Sequence, residues 1–144
     1  MASTPTPLEE ILRLAPPADE LVRAQHITQF VHSFVDKNRR DRWFHLLLKP
    51  SETTRRTSHK LYRDLDRSYC RLIDGPPLLP PQPLNPRQIG IFDDLSGSPK
   101  QITLEQLWNS KVDPFGDNLF LIRAGELALF FFHECELFLC ERST

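Results

Sequence analysis

Glycine is scarce in this chain, with 5 among 144 residues. Phosphate-cradling loops and dinucleotide folds depend on glycine-rich turns. Neither the Walker pattern nor G-x-G-x-x-G occurs, and G-x-S-x-G and H-E-x-x-H are absent as well. These absences weigh against nucleotide folds, serine hydrolases of the nucleophile-elbow type and zincin proteases.

Cysteine is also sparse. The three are Cys70, Cys135 and Cys140, an odd count that argues against a disulfide framework. His133, Cys135 and Cys140 form H-x-C-x4-C. A structural zinc site needs four converging ligands, usually with a tight C-x2-4-C knuckle, and no knuckle is present. Buried cysteine acting as a small hydrophobe is the better account. A nucleophilic cysteine needs a nearby base and an oxyanion donor, and no elbow or helix start precedes Cys135 or Cys140. The carboxylate pairs Asp93/Asp94, Asp113/Asp117 and Glu134/Glu136 are explained by turn and strand-edge positions. No catalytic residue, metal or cofactor is therefore expected, and the balance lies against an enzyme.

No apolar run reaches the length of a membrane span. The best candidate is interrupted by Arg123, Glu126, Glu134 and Glu136. The opening residues MASTPTPLEEILRLAPP have neither a basic n-region nor a long apolar h-region, so a secretory signal is not expected. The expectation is a soluble, cytoplasmic protein with no membrane partner.

Proline, by contrast, is abundant: 13 in all, six of them within Gly75–Pro86. That stretch cannot be helix or central strand. It divides the chain into a helical half, residues 1–74, and a sheet half, residues 87–144, joined by the Pro-rich crossing of residues 75–86. The fold class expected is α+β in one domain. Three to four N-terminal helices pack on a small, mostly antiparallel C-terminal sheet.

Apolar spacing predicts a short helix over Pro7–Ala15 and an amphipathic helix over Ala18–Asp36, the latter with Leu21, Ala24, Ile27, Val31, Phe34 and Val35 on its inner face. Trp43–Leu48 reads as helix because leucine predominates, with strand as the alternative. Ser51 is a helix N-cap candidate. Leu61, Leu65, Tyr69, Leu72 and Ile73 extend that helix toward Gly75. In the second half, Gln88–Phe92 reads as a strand, and Thr103 with Gln106 as a capping box opening a short helix. The apolar centre is Leu119–Arg142. Leu119–Ile122 and Leu127–His133 are expected strands joined by a turn at Arg123–Glu126. Leu137–Cys140 is either a continuation past a bend or a third strand. Both alternating sets of Leu127–Phe132 are apolar, which predicts a strand buried on both faces.

Charge is unevenly spread. Residues 1–74 carry 13 basic and 10 acidic side chains, and residues 75–144 carry 5 and 9. The arginine-rich segment supplies a candidate surface for an anion or a partner: Arg39, Arg40, Arg42, Arg55, Arg56, Lys60, Arg63, Arg67 and Arg71. The sequence pI of about 6.5 falls well short of the basic value typical of dedicated nucleic-acid domains. The leading expectation is a non-enzymatic protein-interaction or regulatory module of small bacterial type, whose partner is another protein. The alternatives are nucleic-acid binding through the Arg-rich segment 39–71, and a small-ligand protein or enzyme with a pocket over the sheet.

Overall fold

The computed structural model describes residues 8–48, 61–75, 79–93, 98–110, 118–132 and 136–142. Among them the fold is α+β. Helices α1 (Leu8–Leu14), α2 (Glu20–Phe34) and α3 (Arg40–Leu47) come first, and a short helix α4 (Leu104–Trp108) lies within the sheet half. The strands are β1 (Cys70–Ile73), β2 (Ile89–Asp93), β3 (Lys100–Thr103), β4 (Asn118–Arg123), β5 (Leu127–Phe132) and β6 (Glu136–Glu141). They form one antiparallel sheet in the order β1-β6-β5-β4-β2-β3.

The sheet is packed on both faces, as the double apolar set in β5 requires. Ala128 and Phe130 face α2 and α3, in a core with Ile27, Phe30, Phe34, Trp43 and Phe138. Leu127 and Leu129 face the other way, in a core with Leu8 of α1, Leu104, Leu107 and Trp108 around α4, and Leu84 of the Pro-rich crossing. β5 and β6 are separate paired strands, with Phe130 opposite Phe138. The bend alternative for Leu137–Cys140 is thereby excluded.

Local signals hold at several places. The Asp19 carboxylate accepts the Val22 N–H at 3.0 Å and caps α2. Thr103 and Gln106 form the reciprocal capping box that starts α4. Gly125, at φ +72°, turns β4 into β5 in a left-handed conformation that suits glycine. A Cβ on Gly90 would stand 2.6 Å from the Phe120 ring, so glycine there permits the close approach of β2 and β4.

Other expectations are overturned. The helix expected to run to Gly75 is not helical in its described part. Leu61–Asp64 is a single 3-10 turn, Leu65 bridges to Val35, and Cys70–Ile73 is β1. Residues 1–74 therefore contribute a strand as well as helices. The cause is tertiary: Leu137–Cys140 of β6 pair with this segment, Cys70 opposite Cys140 and Ile73 opposite Leu137. Tyr69 and Leu72, placed on the helix's core stripe by their spacing, are exposed. Ser51 lies outside the described residues.

On α2 the inner face is Arg23, Ile27, Phe30, Val31 and Phe34, while Leu21 is 68% exposed. β3 falls where no strand was expected. It is held by Gly90–Ile102 pairing on one side, and on the other by the Ala18 N–H to Pro99 O and Gln101 N–H to Pro16 O bonds. In the Pro-rich crossing Leu84 is buried, Leu79 is exposed, and Leu78 lies outside the described residues.

Candidate functional site

Among the described residues the candidate cations take separate partners. Arg40 reaches back to the end of α2, donating to Val35 O at 3.2 Å and His32 O at 2.9 Å. A cation there satisfies carbonyls left open by the helix and suits its dipole. The Arg39 Nε lies 3.9 Å from Asp64 Oδ1, and Arg63 is exposed on the same 3-10 turn as Asp64. Asp64 is itself buried, where its other oxygen accepts the Trp43 indole N–H at 3.0 Å. The Arg67 guanidinium sits 4.5 Å from the Phe138 ring centre, a cation–π contact that covers the core's rim. Arg71 lies opposite Leu139, whose side chain belongs to the α4-side core. Arg42 borders a surface depression with Asp41, His45 and Leu46. Arg55, Arg56 and Lys60 lie outside the described residues. Thus, among the described residues, Arg39 approaches Asp64, while Arg40 caps α2, Arg67 covers Phe138 and Arg71 lies opposite Leu139.

A second site lies over the sheet, lined by residues that no sequence pattern singled out. α2 buries Arg23, Ile27 and Phe30, and the neighbouring row on the helix is Asp19, Val22 and His26, again at three- and four-residue steps. That row forms one wall of a groove of about 310 Å³. The floor comes from Ile89, Gly90 and Ile91 of β2, Gln101 of β3, and Leu121 and Ile122 of β4, with Ala18 at the end. Val22 is 43% exposed and Ile89 57% exposed, so the groove presents apolar surface to solvent. The volume is at the small end of ordinary ligand sites.

Its polar groups are few. The Asp19 carboxylate is engaged as the helix cap. His26 is half-buried, and desolvation pushes its pKa below the usual 6.5, which keeps the ring neutral at pH 7. Behind this wall Arg23 and Asp93 make a buried ion pair. The Arg23 Nε–H donates to Asp93 Oδ2 at 2.7 Å, and Nη2 lies 2.6 Å from the same oxygen. The Nε–H contact is the directed hydrogen bond; Nη2 is oriented for charge attraction only. This pair ties α2 to the end of β2 and sets the position of the wall. A sequence signal for it existed: Arg23 lies one turn before Ile27 in the row that becomes core.

Among the described residues no three His, Cys, Asp or Glu side chains stand close enough to hold a metal ion. His133 and Cys135 lie outside those residues, as do Asp94, Asp113, Asp117 and Glu134. Cys70 and Cys140 are buried free thiols, and Asp93 is committed to Arg23. Among the described residues no helix is long and apolar enough to cross a membrane. Comparison with known proteins found no matching family model, no matching curated protein and no matching solved structure.

Proposed function

We propose that this protein is a non-enzymatic interaction module that receives an apolar peptide segment of a partner protein in the groove between α2 and the β2–β3 corner of the sheet. The observation that carries the reading is the exposure of Val22 and Ile89 at a concave surface walled by only one cap carboxylate and one neutral histidine. Burying two such side chains contributes on the order of 3 kcal/mol of apolar transfer free energy. That is enough to anchor a short segment, and Gln101 supplies an orienting polar group. Among the described residues Arg39, Arg40 and Arg67 are engaged with different parts of the protein itself, which favours this over nucleic-acid binding, because phosphate recognition draws on cations arrayed along one surface.

The test is selection of peptides from a random display library on the immobilised protein. Enriched peptides rich in large apolar residues, whose binding falls at least about tenfold in Ile89→Asp and in Val22→Asp, are expected. Leu14→Asp, at an 81% exposed position of α1, serves as the control and leaves binding unchanged. Enrichment of no peptide, or equal binding by all three variants, overturns the reading. Salt-sensitive binding of single-stranded RNA that Ile89→Asp leaves intact would instead establish the nucleic-acid alternative.

A further inference from the structure

Cys70 and Cys140 are far apart in sequence and directly opposite in the sheet. The Glu141 N–H donates to Tyr69 O at 3.0 Å. This makes Tyr69/Glu141 the hydrogen-bonded position of the β1–β6 ladder and Cys70/Cys140 the adjacent position without backbone bonds. At such positions facing Cα atoms approach to about 4.5 Å and side chains lie closest. That separation is within the range a disulfide spans without backbone movement. Both side chains point into the α2-side core, both thiols are free, and the two are in hydrogen-bonding contact. The Cys70 thiol is also 3.7 Å from Phe34 O.

We propose that Cys70 and Cys140 are a modification site: a dithiol pair that closes into a cross-strand disulfide on reaction with a small-molecule disulfide, fastening β1 to β6. One protein thiolate attacks the small disulfide, forming a mixed disulfide and releasing one small thiolate. The second protein thiolate attacks the first cysteine's sulfur in that mixed disulfide, forming the Cys70–Cys140 bond and releasing the other small thiolate. Two electrons pass to the small disulfide, and the two protons given up by the cysteines end on the two thiols released.

Access sets the rate. Burial pushes the Cys140 thiol well above its ordinary pKa, so little thiolate is present while β1 is docked. β1 has only four residues, pairs with β6, and is last in the strand order. Edge strands of this length open locally at a smaller cost than global unfolding. Oxidation is therefore slow in the native protein and accelerates when β1 frays, and once formed the bond prevents further fraying.

The experiment uses the full chain carrying Cys135→Ser, so that no third thiol competes, with Cys135→Ala as a second background. The folded protein is incubated with oxidised glutathione, then denatured, alkylated and mapped by mass spectrometry. The expected product is monomeric, about 2 Da lighter, has lost both alkylatable thiols, and yields a linked peptide joining Cys70 to Cys140. Its Tm rises by at least ~5 °C, and dithiothreitol reverses the rise. Urea below the unfolding transition speeds the reaction. Thiols that remain fully alkylatable, a persistent glutathione adduct, or intermolecular dimers in both backgrounds would overturn the proposal. So would a linked form whose Tm is unchanged.

Discussion

The two faces of the sheet are closed by different materials. On the α2 side the rings of Phe30, Phe34, Trp43, Phe130 and Phe138 pack in a chain of contacts with centroids 5.3–6.3 Å apart. That side also holds a buried ion pair and two thiols. On the α4 side the sheet presents mainly leucine, under two short helices and Leu84. The aromatic side is thicker but incomplete, since it leaves the β2–β3 corner open. There Ile89 stands exposed, whereas its neighbour Phe92, on the opposite face, is buried. Cover made of long helices leaves concave borders where a helix runs out. Cover made of short pieces and extended chain follows the sheet closely. The open border is where an interaction surface is available, and it belongs to the face with the more specific packing.

The largest expected effect compares the two cores directly. Phe130→Ala removes a fully buried ring that contacts Trp43 and Phe138 and costs about 3–5 kcal/mol; Leu129→Ala, its neighbour on the other face, costs about 2–5 kcal/mol. Urea titration measures both. A loss below ~0.5 kcal/mol for Leu129→Ala would mean that α1 and α4 do not form a packed cover.

Next comes the buried ion pair of the aromatic side. Asp93→Asn leaves the Arg23 charge buried without its counter-charge and costs about 3 kcal/mol, whereas replacing both partners by apolar residues, Arg23→Met with Asp93→Leu, is much closer to neutral. Equal losses for the single and double variants would show that other contacts of Asp93 dominate.

The smallest effect concerns His26 on the groove wall. Burial lowers its pKa in the folded state, so the unfolded chain takes up the proton first as pH falls. Stability is thus complete above about pH 6.5, the unfolded value, and declines as pH drops through it toward the lowered folded value. His26→Gln should show a shallower fall of Tm between pH 7 and 5. An identical pH profile would place His26 in a fully solvated setting and argue for a wider groove.

Much of the architecture was legible in the chain. Thirteen prolines, six of them within residues 75–86, predict a crossing without helix, and its described residues hold none. The Thr103–Gln106 box and the Arg123–Glu126 turn were readable because caps and turns are decided by neighbours within four residues. The alternation of Leu127–Phe132 announced a two-sided strand because side-chain direction in a strand has a fixed period of two.

The lining of the groove was not legible. Its wall and floor come from residues 18–26, 89–91, 101 and 121–122, joined only by tertiary packing. The helix expected over residues 61–75 was misread for the same reason, since its spacing suited a helix while its described part holds a 3-10 turn and β1.

What the sequence by itself determined about this protein is therefore its α+β class, its caps and turns, and a central strand too apolar to meet water on either face. The tertiary structure decided that residues 70–73 become a strand. There local spacing suits a helix, but the backbone groups along β6 are satisfied by pairing with this segment, and that long-range bonding outweighs a propensity difference of a few tenths of a kcal/mol per residue. The same pairing brought Cys70 to Cys140 and set Arg71 opposite Leu139. Only contacts between distant parts of the chain settle either outcome.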